Sequence, residues 1–413
     1  MGLIVSSRRV AVAALSLIAC AVSPSAGWSE QAPKVPAASI LGAAAQGPDY
    51  QIASPVASDG LLFTFHLNTD YGPFTVHGEQ MLKQRLHELA VLRELEKVSQ
   101  SEAFQQAFAK AVGKPIDTVG KVLTNPVGTV RGTISGLGEA LNKIGAGLND
   151  PYAKRDGSAL AGITGKAAAV REIAFQYNVD PYTTFQPLAH RLDQLAQAAA
   201  LGGLVVKGAT MAIPGAAGLA VGGLQTAGQL GNLVKTKTVA ELNLINAAAL
   251  KAMNVPQPVI DAFMTNPHYT PTDRTLIVGA LQGMRIGNKA AYFAIIAQAG
   301  RDDLAYFHRL QAQWMAAYDR KVAPLVEFTP LLGIAFARRA DGKLAGFFPV
   351  DMIAWTDTAR SAAGKLTEAA RAAKANGVEL FITGSLTEEA RKGFKALGWK
   401  VHEKDLSLIE GRS

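Results

Sequence analysis

The feature that most constrains the fold of this chain is an apolar, glycine-rich stretch from Leu201 to Leu224. Lys207 is its one charged residue, and no acidic residue occurs between Asp193 and Glu241. A stretch with so little charge must be buried, either in a protein core or in a bilayer. We therefore expect residues 201–224 to lie either inside a folded domain or in a membrane.

The glycines of this stretch indicate how its backbone packs. Gly218 and Gly222 have the small-x-x-x-small spacing of close helix contacts, while Pro214 breaks or kinks a helix through the middle. We therefore predict that Gly215, Gly218 and Gly222 contact either neighbouring helices of a core or the membrane.

Composition limits the function classes. The 413 residues are 49% hydrophobic but only 7% aromatic, which favours closely packed helices over a sheet sandwich. The formal net charge of +8 suits a solvated basic surface or a position near anionic lipid headgroups. Aromatic residues do not alternate with basic ones, so we predict no nucleic-acid partner.

The N-terminus predicts export. Arg8 and Arg9 precede a short apolar run over residues 10–19, which is too short to span a bilayer and is typical of a secretory signal. We assign residues 1–19 to this signal. The protein is then periplasmic or anchored in a membrane.

Cys20, the only cysteine of the chain, directly follows Leu17-Ile18-Ala19. This segment resembles the bacterial lipobox, in which the signal is cleaved before the cysteine and the thiol receives a diacylglycerol. The resemblance implies that Cys20 is lipidated and that membrane lipid is a partner. Cleavage after Ala21 or near Gly27 is the alternative, and it leaves a soluble exported protein.

Composition and periodicity divide the remaining chain. Residues 20–58 are rich in Pro, Ala, Gly and Ser and predict a flexible linker, while apolar residues alternate in a predicted β-hairpin over 59–78. Residues 79–325, which contain the 201–224 stretch, predict an Ala/Gly-rich helical domain. Within it, the weakly amphipathic segment 116–148 either packs on neighbouring helices or lies on a membrane surface.

Residues 326–405 change to short strands that alternate with helices, in the predicted order β-β-α-β-α-β, followed by a tail over 406–413. A parallel sheet is expected for the later strands, and the N-terminal hairpin is a candidate to complete it. The predicted fold class is therefore α+β, predominantly α: a helical body, a small N-terminal hairpin and a C-terminal α/β module.

Catalytic motifs are missing from the sequence. It contains neither the G-x-S-x-G nucleophile motif nor a P-loop, and no histidine pair has metal-ligand spacing, so we predict no catalytic residue, metal or cofactor. The one weak ligand candidate is Thr383-Gly384-Ser385, which follows a strand and precedes a helix that Ser385 is expected to cap. Free backbone N–H groups at such a position can hold an anion.

These observations favour a non-enzymatic envelope protein, exported and lipid-anchored, that binds other envelope components. A membrane-active protein that inserts residues 201–224 is the first alternative. An enzyme with a site assembled from scattered residues is the second. The oligomeric state stays open.

Overall fold

The computed structural model describes residues 29–112, 152, 165–203, 229–405 and 408. The predicted signal, Cys20, the 116–148 segment and the contact glycines Gly215, Gly218 and Gly222 lie outside the described residues. The predicted fold class is confirmed: the protein is α+β and dominated by helices, with an N-terminal antiparallel sheet and a C-terminal mixed sheet.

The N-terminal sheet is larger than the predicted hairpin. Its six strands are β1 (Lys34–Val35), β2 (Gln46–Gly47), β3 (Tyr50–Ile52), β4 (Val56–Ser58), β5 (Phe63–Thr69) and β6 (Gly72–His77). On one side β5 pairs with β6 as the predicted hairpin, and on the other with β3 and β4; all of these pairings are antiparallel. Phe63, Phe65 and Leu67 alternate into the core.

The predicted linker over 20–58 is therefore wrong for its described part. Residues 34–58 form four strands, a short helix α1 (Ala37–Leu41) and a 3₁₀ turn (Gly42–Ala45). Their strands have only two or three residues, which is too short to produce an alternating pattern. Ile52 and Val56 are nonetheless buried in the same core as the hairpin.

The helical body begins with α2, whose apolar stripe packs on the N-terminal sheet. The helices of the body within the described residues are α2 (Glu79–Gln100), α3 (Glu102–Val112), α4 (Lys166–Gln176), α5 (Gln186–Gly202), α6 (Gln229–Thr236), α7 (Val239–Ala252), α8 (Gln257–Thr265), α9 (Pro271–Gln282), α10 (Lys289–Ile296) and α11 (Asp302–Lys321). Helices α7 to α11 form a second core, which continues onto one face of the C-terminal sheet.

Helix α5 ends two residues inside the glycine-rich stretch. The backbone of Gly202 lies against α3 so closely that a Cβ at this position would be 2.0 Å from the carbonyl oxygen of Ala107. Gly203 then closes the helix with a φ of 77°. The first residues of the stretch thus pack tightly against protein, which is one of the two environments predicted for it.

The C-terminal module contains strands β7 (Leu325–Leu331), β8 (Ile334–Arg339), β9 (Leu344–Phe348), β10 (Met352–Ile353), β11 (Val378–Ile382), β12 (Ser385–Leu386) and β13 (Lys400–His402), with helices α12 (Asp357–Ala372) and α13 (Glu388–Ala396). Its main sheet has the order β13-β11-β9-β8-β7. Strands β9, β11 and β13 are parallel to one another, whereas β8 pairs antiparallel with both β7 and β9.

Two details of the predicted module are corrected. The predicted order has two strands before the first helix of the module, whereas the structure has four there, β7 to β10, with a two-residue turn at Leu332-Gly333 between β7 and β8. The N-terminal hairpin does not complete this sheet, since β5 and β6 belong to the separate N-terminal sheet. Among the described residues, no helix is both long and apolar enough to cross a membrane.

Candidate functional site

The carboxyl ends of β9 and β11 are where an α/β sheet would ordinarily bind a ligand. Asp351 follows β9 and Thr383-Gly384 follow β11. Gly384 lies directly on the backbone of Asp351, where a Cβ would be 1.7 Å from its carbonyl oxygen. The Thr383 hydroxyl donates a hydrogen bond to the carbonyl of Val350 at 2.8 Å. The two chain segments are thus in direct contact.

The predicted anion site is built differently from the expectation. The amide of Ser385 donates to the carbonyl oxygen of Asp351 at 3.1 Å, and that of Thr387 to Ile353 at 3.0 Å, as β12 runs beside β10. The cap of α13 is Thr387, whose hydroxyl accepts from Ala390 at 3.2 Å, so the expected cap at Ser385 is wrong. The amides of Ser385 and Thr387 therefore bond to the protein itself.

A carboxylate of the same chain lies at this helix start. Glu30 accepts hydrogen bonds from the Thr387 hydroxyl and from the backbone amide of Trp355, which immediately precedes the N-cap of α12. Its own amide donates to the carbonyl of Trp355 at 3.1 Å. Sequence reasoning missed this contact because Glu30 and Thr387 are 357 positions apart and neither lies in a motif.

Asp351 forms a second junction between the N-terminal and C-terminal parts. Its two carboxylate oxygens accept the amides of Phe63, at the start of β5, and Glu79, at the start of α2, at 2.8 and 2.9 Å. The side chain is buried. Burial raises the pKa of Asp351 to about 7, with a further increase from the nearby Glu79 and Asp59 carboxylates, while the two amide hydrogen bonds oppose the shift.

A group of buried carboxylates lies inside the helical body. Asp180 accepts the Thr272 hydroxyl at 2.6 Å and the Tyr182 amide at 2.9 Å. Asp273, in the first turn of α9, pairs with the buried Arg309 of α11 at 2.9 Å. Burial, followed by the charge of Asp273, raises the pKa of Asp180 to about 6, while the hydrogen bonds and Arg309 lower it.

This cluster extends to α2 through two more contacts. Glu88 accepts the Thr183 hydroxyl at 2.7 Å and pairs with Arg85, while Arg309 donates to the Gln84 side chain at 3.1 Å. The cluster thus joins α2, the loop that holds Asp180, α9 and α11. Asp180, Asp273 and Arg309 are each less than one tenth exposed, so this arrangement suits holding helices together rather than receiving a substrate.

Metal chemistry finds no support in the part of the chain that the structure describes. No group of three or more His, Cys, Asp or Glu side chains there has the geometry to hold a metal ion. The buried His308 instead shares a hydrogen bond with the Tyr269 hydroxyl at 2.6 Å, and burial lowers its pKa to about 3. It is a neutral core residue.

No family model matches the chain, and no curated protein or solved structure is significantly similar to it. Function therefore has to be inferred from the residues themselves.

Proposed function

We propose that the protein is an exported bacterial envelope protein, anchored by lipid at Cys20, whose role is structural or in binding other envelope proteins rather than catalytic. The observation that carries this proposal is the contact of Glu30 with Thr387 and Trp355, which we call the Glu30 clamp. A chain that leaves an anchor at Cys20 is fixed ten residues later to the C-terminal module.

The clamp is reinforced along the following residues. Beyond Glu30, the amide of Ser58 donates to the carbonyl of Pro33 at 3.1 Å, and β1 pairs with β4 in the N-terminal sheet. Ten residues of extended chain span at most about 36 Å. An anchor at Cys20 would therefore keep the folded body close to the bilayer surface. It would be connected through this segment to both the N-terminal sheet and the C-terminal module.

The absence of a catalytic role is supported by how the buried carboxylates are used. Asp351 binds two backbone amides, and Asp180 and Asp273 bind hydroxyls and Arg309. Raised carboxylate pKa values can mark active sites, but structural networks produce the same shifts. Here the groups with raised pKa values are enclosed by the elements that they connect.

Cell fractionation tests the proposal. In the wild type we expect the protein in the membrane fraction and incorporation of a labelled fatty acid. Cys20→Ser should lose the label and appear in the periplasm after osmotic shock, whereas the matched control Ser23→Ala should behave as the wild type. Wild-type protein in the cytoplasm, or unlabelled protein in the membrane, would contradict the proposal.

Alkaline carbonate extraction of the Cys20→Ser variant tests the membrane-active alternative. A variant released by carbonate has residues 201–224 in a protein core. A variant that resists extraction has that stretch in the bilayer, and the membrane-active function then replaces the structural one.

For the interaction role, photo-crosslinking in intact cells is the direct measurement. A reporter on the exposed face of α12 should give a discrete crosslinked product with another envelope protein. A protein that remains uncrosslinked from reporters on α12, α13 and α7 would argue against an interaction role.

A further inference from the structure

Three helix-to-strand connections meet at one end of the C-terminal sheet. Helices α11, α12 and α13 lead directly into strands β7, β11 and β13. The sheet register places the first residues of these strands within one residue of a common row, which runs across the sheet from Leu325 to Lys400. The last turns of the three helices therefore lie at the same end of the sheet. We name this surface the basic end, and its cations are Arg320, Lys321, Arg371, Lys374, Lys395 and Lys400.

The cations of the basic end have no counter-charge within the part of the chain that the structure describes. All six side chains are exposed, and none of them forms an ion pair or hydrogen bond with a described residue. The carboxylate of Asp341 at this end is already engaged by Arg339 and Lys343. Glu327 on β7 and Glu368 on α12 are the other exposed carboxylates nearby, so the cations outnumber the anions.

The opposite end of the module is balanced internally. There Arg360 pairs with Asp357 at 2.7 Å, and Arg391 pairs with Glu403 at 3.0 Å. A basic last turn is favourable for any helix, because it complements the helix dipole. The dipole does not account for the missing carboxylates, since the acidic first turns at the opposite end do have partner cations.

Two exposed valines adjoin the basic end. Val322 is 58% exposed and directly follows Lys321, and Val326 is 49% exposed at the second position of β7. Interfaces between proteins combine an apolar contact area with a polar and charged rim. The basic end offers both kinds of contact.

Nucleic acid fits this surface less well than protein. Single strands are bound by basic grooves in which exposed aromatic side chains stack on the bases. Trp399, which directly precedes Lys400, is buried, and the exposed large hydrophobic side chains among the described residues are aliphatic.

The anchoring bilayer lies toward the other end of the module. The Glu30 clamp holds Trp355, two residues before the start of α12, whereas the last turn of α12 belongs to the basic end. The 16 residues of this helix separate the two ends by about 24 Å. A chain that arrives from a lipid at Cys20 therefore reaches the end opposite the cations.

We propose that the basic end is a docking surface for the acidic surface of another protein. That this partner belongs to the envelope rests on the proposed function, whereas recognition of its charge does not. The five strands span only about 19 Å, so the contact area is small. Such an interface suits a transient complex whose association is accelerated by attraction between opposite charges.

Two exposed lysines provide a matched test. Lys374 and Lys404 both have a left-handed backbone, with φ of 55° and 56°, but Lys374 lies at the basic end and Lys404 follows β13 at the opposite end. In the purified full chain with Cys20→Ser, we would measure binding of fluorescent poly-L-glutamate at low ionic strength. Lys374→Glu should weaken binding by about fivefold and Lys404→Glu should change it little. Equal urea midpoints in the two variants would show that folding is unaffected.

Other probes distinguish other occupants. Phosphatidylglycerol vesicles or single-stranded DNA that bind more tightly than poly-L-glutamate, with the same dependence on Lys374, would overturn the proposal in favour of a bilayer or a nucleic acid. Self-association that Lys374→Glu abolishes would assign the surface to a second copy of the chain. Equal weakening by Lys374→Glu and Lys404→Glu would mean that only net charge matters.

Photo-crosslinking in cells completes the test. A crosslinker at Val322 should give a discrete product with an acidic protein, which Lys374→Glu should remove and Lys404→Glu should retain. A product that persists in Lys374→Glu would contradict the proposal. If the charge-dependent product forms but the chain fractionates with the cytoplasm, the proposed function fails and this inference stands. Membrane-anchored protein whose poly-L-glutamate binding is insensitive to Lys374 is the converse result.

Discussion

Asp180 and Asp351 are both buried carboxylates that connect distant parts of the chain, but different groups stabilise their negative charges. Asp180 belongs to an ionic cluster that contains Asp273 and Arg309, and it accepts a side-chain hydroxyl. Asp351 accepts two backbone amides, and the charged groups that most affect its pKa are carboxylates, Glu79 and Asp59.

The difference is reflected in the two pKa values. Burial is the main cause of both increases, but Arg309 and the Thr272 hydroxyl limit the pKa of Asp180 to about 6, whereas the pKa of Asp351 rises to about 7. The stability of the Asp180 cluster should depend most on Arg309, because loss of this cation leaves buried carboxylates unpaired. The stability of the Asp351 junction should depend most on Asp351 itself, because its carboxylate is the acceptor for both amides. The following predictions test this comparison.

The largest effect is expected for Arg309→Met. Methionine fills part of the space but leaves Asp273 without its ion pair and Asp180 without the nearby cation. The free energy of unfolding in urea at pH 7 should fall by about 3 to 5 kcal/mol. Arg320→Met, an exposed position on the same helix, should change it little. Similar losses in the two variants would mean that the effect is not specific to the buried ion pair of Arg309.

Asp351→Ala should be the next largest change. It leaves the amides of Phe63 and Glu79 without their acceptor, and unsatisfied buried amides each cost about 1 to 3 kcal/mol. Because removing a buried ionisable group offsets part of that cost, we expect a net loss of about 2 kcal/mol at pH 7. Asp70→Ala, at an exposed turn carboxylate, is the control. The amide of Phe63 should also exchange faster with solvent, and unchanged exchange would contradict the assigned hydrogen bond.

The pH dependence of stability should distinguish the two carboxylates. Both have an ordinary pKa of 3.8 and a higher pKa in the folded protein, so the native state binds the proton more tightly than the unfolded chain. Their contribution is complete below pH 3.8 and is lost as pH rises, until about 6 for Asp180 and about 7 for Asp351. Each group contributes a slope of at most about 1.4 kcal/mol per pH unit.

Asparagine variants separate these contributions in urea titrations over this pH range. Asp351→Asn should remove most of the decrease between pH 6 and pH 7, while Asp180→Asn should mainly reduce the decrease at lower pH. If both variants follow the wild-type curve, other groups determine the pH dependence.

The sequence predicted those parts of the fold that local patterns specify. The alternation that buries Phe63, Phe65 and Leu67 located the hairpin. Strands β1 to β4 were missed because two or three residues carry no period. The turn at Leu332 was missed because leucine is not a turn residue.

The candidate site was less predictable for a related reason. Thr383-Gly384-Ser385 was found from its position between a strand and a helix, but the contacts of Gly384 with Asp351 and of Glu30 with Thr387 join residues that are distant in the chain. Single-sequence patterns report local geometry and the direction of an apolar face. They do not report which carboxylate reaches which helix start.

The smallest effect is expected at Glu30, which extends the comparison to a partly exposed carboxylate. Glu30→Ala removes the acceptor for the amide of Trp355 and for the hydroxyl of Thr387, but the strand pairing of β1 with β4 remains. The global free energy of unfolding should fall by less than about 1 kcal/mol, since solvent can replace the lost bonds. The amide of Trp355 should nevertheless exchange roughly tenfold faster, because the clamp opens locally. Glu30→Gln keeps a carbonyl oxygen at this position and should restore most of the protection. A large global loss would mean that the clamp belongs with Asp351 as a core junction, whereas unchanged exchange at Trp355 would remove the basis for transmitting an anchor at Cys20 to the C-terminal module.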